Sequence, residues 1–524
     1  MIVGIDLGTT FSAAAYIDAD GRPQIIPNRD GQHTTPSVVM FDDDEIIVGQ
    51  QAKNNAECDP NNVVQFVKRQ MGNKNYEFIS DDDQHYSAED ISARILKRIV
   101  EDCQAFLGEE VKQAVITVPA YFNDPQRTAT RDAGRIAGLD VIGIINEPTA
   151  AALAYGAGRS KHERVMVYDL GGGTFDVTIM DVDRDKIKVL ATHGNKNLGG
   201  FNFDNALITH VAKQFTEMTG IDIDDDDEAM QVLRTRCEEA KIALSSAEKY
   251  RITVSAQRCK PVKIEVTRAL FESLVDGLIR ETEDSVDVAL DESGLSPRDI
   301  DKVLLVGGST RIPAVRAFIE KKMNMKPSCE LNPDEAVALG AAIYANHIQA
   351  SGGAPREEPV TTGGLPVPVG RQTQSTQQAL EETDSRIQDV NSHGLGVEAL
   401  NDEGRSANFI LIPRNTPIPA VGQSEFYTIV DNQDYFNLQV TEGDDEELDY
   451  VEVIGISRID LPPHPAGSPV RIELGYTRDG VIVGRVFDVL KKAYIGDITV
   501  KRDANLTEEE LRRKKQRIDQ EELQ

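Results

Sequence analysis

A glycine-rich stretch at residues 167–176 constrains the fold of this chain more than any other. Its sequence, Val-Tyr-Asp-Leu-Gly-Gly-Gly-Thr-Phe-Asp, predicts a buried strand, a turn of three glycines and a second strand. Glycines let the backbone come close to an anion and offer it bare N–H groups. Asp169, Thr174 and Asp176 add two carboxylates and a hydroxyl there, a set that suits a divalent cation beside a phosphate. The stretch therefore predicts a hairpin that binds phosphate and Mg²⁺.

The chain opens with a second copy of this pattern. Residues 3–10, Val-Gly-Ile-Asp-Leu-Gly-Thr-Thr, again combine a strand, Asp-Leu-Gly and threonine, and an apolar strand follows at residues 13–17. Two copies predict a duplicated fold in which each half contributes one hairpin. Neither copy fits G-x-x-x-x-G-K-[ST] or G-x-G-x-x-G, which disfavours P-loop and Rossmann folds. Paired hairpins resemble those of the actin, sugar-kinase and heat-shock-chaperone superfamily, whose members clamp ATP between two lobes.

Composition excludes several classes of protein. The chain has 524 residues, enough for two or three domains, and a net charge of −31, which argues against binding to nucleic-acid backbones. It has no run of about 18 apolar residues and no basic leader, so neither a membrane span nor secretion is expected. The five cysteines are scattered without metal spacing. We therefore expect a cytoplasmic monomer with neither a nucleic-acid nor a membrane partner.

The composition and hydrophobic pattern of the sequence change along the chain and indicate its domains. Residues 1–350 alternate apolar strands with helical patterns, whereas residues 351–388 are rich in Gly, Pro, Thr and Gln and predict a flexible polar linker. Residues 389–503 show strand alternation and predict an all-β sandwich. Residues 504–524 predict a short helix with a capping box at Thr507. Its few apolar residues suggest that this helix docks weakly at best.

The order of the motifs identifies a closer resemblance. Residues 4–10, 118–123, 146–156, 169–176 and 307–313 resemble, in family order, the ATPase domain of the seventy-kilodalton heat-shock, or DnaK-type, chaperones. The β region is similar, at a greater distance, to the peptide-binding sandwich of that family. The resemblance implies an α/β fold: an actin-like (ribonuclease H-like) two-lobed ATPase domain followed by an all-β sandwich. It also implies an ATP-dependent chaperone that binds extended apolar segments of unfolded proteins.

The resemblance assigns roles to individual residues around ATP. It implies that Asp6 and Asp169 hold Mg²⁺ through water, with K⁺ as a candidate further cation, and that Thr174 is a candidate site of autophosphorylation. The residues implied to act in hydrolysis are Lys68, Glu147, Asp169, Thr174 and Asp176. The residues implied to bind the nucleotide are Gly8, Thr9, Thr10, Gly171, Gly172, Gly173, Gly199, Gly200, Glu238, Lys241, Ser245, Gly307, Gly308, Ser309 and Arg311.

The nucleoside is expected at a separate surface. Glu238, Lys241 and Ser245 are spaced i, i+3 and i+7, so they share one face of a helix. The resemblance implies that this face binds ribose and adenine, and that Arg311 stacks on the base from the other side. Phe201 and Asn202 stand where the family usually has an acidic pair, so we expect the local contacts between the lobes to differ from those of the family.

The resemblance also implies residues for communication and for client binding. Pro119 and Arg127 match the family's relay between the ATPase domain and the sandwich. A peptide groove is expected at Val397, Leu400, Ile429, Phe436 and Leu438, although these side chains could equally be sandwich core. The partners implied are unfolded polypeptide segments, a J-domain co-chaperone and a nucleotide exchange factor.

Two departures from the family concern the coupling of the domains. The apolar interdomain linker is replaced by residues 385–390, in which only Ile387 and Val390 are apolar, and no long helical lid is expected after the sandwich. We therefore expect fast exchange of peptides, and a change in ATPase rate on peptide binding of less than about 5-fold. A small-molecule kinase of the same superfamily and a non-hydrolysing holdase or exchange factor remain as alternatives.

Overall fold

The computed structural model describes residues 1–42, 45–157, 161–183, 186–224, 226–256, 259–328, 330–350, 386–401, 403–477, 480–498, 506–521 and 523. Up to residue 350 the strands are β1 (Ile2–Asp6), β2 (Phe11–Ile17), β3 (Pro23–Ile26), β4 (Thr35–Pro36), β5 (Val39–Asp42), β6 (Glu45–Val48), β7 (Val63–Val64), β8 (Phe78–Ile79), β9 (His85–Tyr86), β10 (Gln113–Val118), β11 (Asp140–Asn146), β12 (His162–Leu170), β13 (Phe175–Asp183), β14 (Lys186–Asn195), β15 (Lys249–Val254), β16 (Val262–Thr267) and β17 (Lys302–Val306). The helices there are α1 (Gln50–Asn55), α2 (Ala88–Leu107), α3 (Asp124–Ile136), α4 (Glu147–Gly156), α5 (Gly200–Thr219), α6 (Asp227–Leu244), α7 (Arg268–Ser293), α8 (Pro313–Met323) and α9 (Ala336–Ala350).

The remaining elements follow in the second part of the chain. They are β18 (Ile387–Gln388), β19 (Leu395–Leu400), β20 (Ser406–Ile412), β21 (Ala420–Tyr427), β22 (Gln433–Glu442), β23 (Glu452–His464), β24 (Pro469–Tyr476), β25 (Ile482–Asp488), β26 (Ala493–Ile498) and α10 (Glu508–Asp519).

Two similar sheets confirm the predicted duplication. Lobe I is built on the order β11-β10-β1-β2-β3, and lobe II on the order β17-β12-β13-β14-β18. In both, a central strand pairs antiparallel with its hairpin partner and parallel with a strand on its other side: β1 with β2 and β10, and β12 with β13 and β17. Each glycine hairpin therefore lies at the carboxyl end of a central strand. The fold is the expected two-lobed, actin-like α/β architecture.

Helices α4 and α9 join the two lobes. Helix α9 packs on β1 and β2 of lobe I, and α4 packs on β12 and β13 of lobe II, while the two helices pack closely on each other. Small residues permit this crossing, because a Cβ atom added at Gly340 would overlap the carbonyl of Ala150. Where α9 packs on β1, a Cβ atom added at Gly4 of β1 would overlap the backbone nitrogen of Ala342 of α9. The relative position of the lobes is thus fixed by backbone-to-backbone packing.

The C-terminal strands form the predicted β sandwich. One sheet has the order β20-β19-β22-β23 and the other β21-β24-β25-β26. Alternate residues of both sheets point inward, as expected for a half-buried strand, and pack into one core. Leu395, Leu438 and Val440 of the first sheet contribute to this core, together with Ile472 and Leu474 of the second.

The segment that replaces the apolar linker is docked rather than free. Residues 351–385 of the predicted linker lie outside the described residues, but Ile387 and Gln388 form β18, which adds a parallel strand to the edge of lobe II beside β14. Val390 is buried in the core shared with α4 and α9. The prediction that the flexible linker extends to residue 388 was therefore wrong for Ile387 and Gln388. Strand pairing, which depends on backbone groups and not on leucines, supplies the contact.

The C-terminal helix is also docked, contrary to the prediction that it docks weakly at best. The predicted capping box at Thr507 is present, and Leu511 and Ile518 of α10 are buried against lobe I. Lys97 of α2 donates hydrogen bonds to the carbonyls of Ile518 and Glu521, each at 2.6 Å. Leu523, after the helix, is buried in the core of lobe I as well. These three apolar side chains sufficed because polar contacts to lobe I, which composition does not reveal, accompany them.

The crossing of α4 and α9 yields a stability prediction. Gly340→Ala should lower the melting temperature of the ATPase lobes, since the added methyl group overlaps a backbone carbonyl and overpacking costs about 1–3 kcal/mol or more. Gly277→Ala is the matched control, because Gly277 lies within α7 with open space around its Cβ position. That change should stabilise the chain by about 0.5–1 kcal/mol. Calorimetry measures both; equal melting temperatures for the two variants would contradict the packing described.

Candidate active site between the lobes

The two glycine hairpins face each other across the boundary between the lobes. A Cβ atom at Gly172 would overlap the Oγ1 of Thr10, and one at Gly173 would lie 2.7 Å from the Cγ2 of Thr9. No side chain larger than hydrogen fits at these two positions. The structure thus brings the predicted phosphate-binding residues of the two copies together, with their backbone N–H groups available for an anion.

Carboxylates from both halves converge beside the hairpins. Asp6 ends β1 and accepts a hydrogen bond from the Thr117 hydroxyl at 3.1 Å, while Asp169 and Asp176 lie on β12 and β13. Burial, followed by the nearby Glu147 carboxylate, raises the pKa of Asp6 and of Asp176 to about 7. The same two causes raise the pKa of Asp169 well above its usual value. Several buried carboxylates this close together are stable in their charged form only when a cation lies beside them.

Lys68 supplies one cation to this cluster. It lies on a 3₁₀ turn of lobe I, is only 4% exposed, and its Nζ lies 2.5 Å from Oε1 of Glu147. Glu147 is itself buried and is the first residue of α4. The structure therefore places the two predicted catalytic residues in direct contact, and it joins them to the helix that connects the lobes.

The donor set suits Mg²⁺ bound through water. Carboxylate and hydroxyl oxygens are the ligands that Mg²⁺ prefers, and this ion commonly keeps several waters. Within the described residues, no group of three or more His, Cys, Asp or Glu side chains is arranged to hold a metal ion directly. Asp6 and Asp169, from facing hairpins, would hold a hydrated ion, which would neutralise the charge of bound phosphates.

Residues predicted to bind the nucleotide also converge on the second hairpin. The Gly200 N–H donates to the carbonyl of Gly171 at 3.0 Å, and the Ser309 hydroxyl donates to the same carbonyl at 2.9 Å. A Cβ at Gly200 would lie 3.3 Å from Nζ of Lys241. A Cβ at Gly199 would lie 2.6 Å from the nitrogen of Gly173. The glycine pair, the α6 face and the loop after β17 therefore border one cleft.

The predicted adenosine residues have partners of their own in this structure. Glu238 accepts a hydrogen bond at 2.9 Å from Lys53 of lobe I, so it bridges the two lobes. Lys241 donates to Asp204 at 2.7 Å. The Arg311 guanidinium donates to Asp334 at 2.6 Å. These three pairs hold Glu238, Lys241 and Arg311 in place beside the cleft.

The predicted relay residues lie at the junction with the sandwich. Arg127 donates to the carbonyls of Ala120 and Phe122, both at 3.0 Å, and the segment they belong to begins with the buried Pro119. Asp389, in the segment before the sandwich, is half-buried nearby and accepts hydrogen bonds from Asn146 and Thr149. Burial lowers the pKa of Arg127, and the Asp389 carboxylate opposes that effect.

The backbone of Tyr121 connects this junction to the hairpin. Its N–H donates to Oδ1 of Asp176 at 2.9 Å. Its carbonyl lies 3.2 Å from Nε2 of His393, and its ring packs edge-on against the His393 ring with centroids 4.3 Å apart. One residue therefore touches the acidic cluster on one side and the first residues of the sandwich on the other.

The structure separates the five residues predicted to line a peptide groove. Val397 and Leu438 are buried in the sandwich core, and a peptide does not reach them in this arrangement. Leu400 and Ile429 are about half or more exposed, at 50% and 68%, and Phe436 is half-buried. The core alternative is therefore correct for two of the five.

Comparison with known proteins decides the family. A family model described as Hsp70 protein matches residues 2–357 and 368–524. The chaperone protein DnaK of Halobacterium salinarum is 41% identical over 517 residues, which are 97% of this chain and 76% of the relative. That of Thermotoga petrophila is 40% identical over 491 residues, or 92% of this chain and 77% of the relative.

The chain belongs to the Hsp70 family. Membership confirms the fold class and the predicted function, an ATP-dependent chaperone that hydrolyses ATP, and nothing in the comparisons favours a kinase, a holdase or an exchange factor. Hsp70 proteins of the DnaK type bind ATP with Mg²⁺ and act on unfolded polypeptides. No helix among the described residues of this Hsp70 is long and apolar enough to cross a membrane.

Sequence reasoning missed several side chains that shape this Hsp70 site. Lys53, Asp204 and Asp334 hold the predicted nucleotide residues, and Tyr121 links Asp176 to the sandwich. Each is distant in sequence from its partner, and Lys53, Asp204 and Asp334 belong to none of the motifs named above. Tyr121 lies in the motif at residues 118–123, two residues after Pro119, and that position is the signal that could have drawn attention to it.

Lys68 gives the sharpest test of the site. Lys68→Ala should lower single-turnover ATP hydrolysis by on the order of 10²- to 10³-fold, as is typical when one preorganised donor is removed. Nucleotide affinity should change little, because the α6 face lies apart from Lys68. Lys112→Ala, at a 68%-exposed lysine, is the control. Hydrolysis by Lys68→Ala at the wild-type rate would exclude Lys68 from catalysis.

Proposed function

We propose that ATP binds with its phosphates between the two hairpins and its nucleoside between α6 and the loop after β17. The observation that carries this proposal is the approach of Thr9 and Thr10 to Gly172 and Gly173, with the Lys68–Glu147 pair alongside. Backbone N–H groups and threonine hydroxyls bind the phosphate oxygens. Both lobes contribute residues, so that ATP holds them together.

Hydrolysis in this proposal depends on position and charge. Lys68 lies against Glu147, which keeps the ammonium directed at the phosphates and orients the attacking water. Asp176 accepts the proton of that water, and Thr174 binds the terminal phosphate. Mg²⁺, held through water by Asp6 and Asp169, would neutralise phosphate charge. Thr174, as a hydroxyl beside the transferred phosphate, is the proposed site of autophosphorylation.

Nucleotide state reaches the sandwich through the segment after Pro119 in this proposal. A change at Asp176 moves the Tyr121 N–H, and the same peptide segment carries the contact with His393 and the carbonyl acceptors of Arg127. Arg127 in turn faces Asp389, the carboxylate that anchors the docked segment. Weak coupling was predicted because residues 385–390 lack leucines; the docked β18 removes the reason for that prediction.

The sandwich is the proposed site of client binding. Its exposed apolar side chains, including Leu400 and Ile429, provide contacts for an extended apolar segment. We further propose the partners that such chaperones require for a cycle, a J-domain co-chaperone and a nucleotide exchange factor, in the cytoplasm. The proposed boundaries are 1–350 for the ATPase domain and 389–503 for the sandwich.

Asp389→Ala tests the coupling route. In the full chain we expect saturating apolar peptide to change steady-state ATP hydrolysis by more than about 5-fold, within the usual range of allosteric coupling. Asp389→Ala should reduce this change to less than about 2-fold, since hydrogen bonds to a charged group are worth about 1.5–3 kcal/mol each. Asp497→Ala, at an exposed carboxylate of β26, is the matched control.

The result distinguishes a role of Asp389 in communication between the domains from a role in ATP hydrolysis. If Asp389→Ala abolished ATP hydrolysis in the absence of peptide, Asp389 would belong to the hydrolysis machinery. If it hydrolysed ATP normally and kept full stimulation by peptide, the docked segment would not transmit nucleotide state.

A further inference from the structure

An aromatic contact joins the two lobes beside Lys68. Phe201 lies in the first turn of α5, directly after the Gly199–Gly200 pair, and its N–H donates to the carbonyl of Gly172 at 2.8 Å. From lobe I, the ring of Phe66 meets the Phe201 ring edge-on, with centroids 5.0 Å apart. The Arg69 guanidinium lies 4.5 Å from the centroid of the same ring. Phe201 is thus held by residues on both sides of Lys68 in sequence.

The backbone of Phe66 adopts a conformation that this contact explains. Its φ is 59°, in the left-handed region that bulky side chains rarely occupy. Such strain persists only where the surroundings enforce it, and it is common at functional sites. Phe66 directly precedes the 3₁₀ turn Val67–Gln70 that carries Lys68. With this left-handed backbone, the Phe66 ring lies against Phe201, and the chain enters the 3₁₀ turn Val67–Gln70.

Arg69 reaches the other lobe without an ionic partner. Its Nη2 donates to the carbonyl of Asn197 at 3.3 Å, and its Cγ would lie 3.1 Å from a Cβ at Gly173. Among the described residues no carboxylate forms an ion pair with Arg69, and its Nη1 is buried without a hydrogen-bond partner. The face of Phe201 is therefore its principal contact across the cleft.

We propose that Phe201 is a positioning residue for ATP hydrolysis: with Phe66 and Arg69 it forms an aromatic clasp that holds the Lys68 turn against the second hairpin. The clasp depends on ring packing at van der Waals distance, which salt screens far less than it screens an exposed ion pair. It keeps the cleft closed on nucleotide and Lys68 in place at both low and high ionic strength. This inference rests on the proposed role of Lys68.

The test combines two rates in the full chain. Phe201→Ala should lower single-turnover ATP hydrolysis by about 3- to 10-fold, the equivalent of one aromatic pair, and raise the dissociation rate of a fluorescent ADP analogue by a similar factor. Phe201→Tyr, which keeps the ring, should restore both rates. Phe66→Ala removes the same contact from lobe I, and the double variant should be no worse than the poorer single variant.

Ionic strength distinguishes the clasp from a general packing role. Phe201→Glu offers Arg69 an ion pair, so ADP should dissociate at close to the wild-type rate at about 0.1 M KCl but several-fold faster at about 1 M, where the Debye length falls from about 10 Å to about 3 Å. For wild type, the rates of ADP dissociation at these two salt concentrations should differ by less than about 2-fold.

Three results would overturn the proposal. These are an unchanged ADP dissociation rate in both Phe201→Ala and Phe66→Ala, additive effects in the double variant, and a wild-type salt dependence as steep as that of Phe201→Glu. If wild type itself failed to hydrolyse ATP, the proposed function would fall instead, so the two failures are distinct. Phe66→Ala keeps the test valid should Phe201→Ala not fold.

Discussion

The close crossing of α4 and α9 is the constraint on which the rest of this chaperone depends. Helix α9 lies on the sheet of lobe I and α4 on the sheet of lobe II, and Gly340 lets them meet at backbone distance. Because both hairpins end central strands of those sheets, the crossing sets how the hairpins face each other. It also places Glu147, the first residue of α4, opposite Lys68. The active site is thus a consequence of how two small-residue helices pack.

The same helix pair receives the segment that leads to the sandwich. Asp389 accepts hydrogen bonds from Asn146 and Thr149 at the start of α4, and Val390 is buried in the core to which α4 and α9 contribute. The junction is rich in acid, and Arg127 lies among Asp389, Asp124 and Glu442. Burial, followed by Asp124, raises the pKa of Glu442 to about 8, so this carboxyl is largely protonated at neutral pH. The interface therefore carries less negative charge than its composition suggests, and one guanidinium suffices.

Sequence reasoning succeeded where chemistry is local. The Asp-Leu-Gly hairpins, the capping box at Thr507 and the alternation in the sandwich each depend on neighbouring residues, and each is found in the structure. It failed where a contact depends on backbone groups or on distant partners. Strand β18 docks through its peptide groups, which any sequence possesses, so the loss of leucines was a poor guide. The clasp of Phe66, Phe201 and Arg69 joins residues more than a hundred positions apart, and no motif signals it.

Nucleotide state, if it reaches Asp389 through Tyr121 and Arg127 as proposed, changes how residues 386–390 dock on lobe II. Amide hydrogen exchange, read by mass spectrometry, measures this directly in the full-length chain. With ATP bound to the slowly hydrolysing Lys68→Ala variant, exchange at residues 386–390 and along their partner strand at Ile187 and Lys188 should be slower than with ADP, by about tenfold or more, since strand pairing protects these amides. Equal exchange in the two nucleotide states would contradict the account, because the segment would then be docked, or free, regardless of what the active site holds.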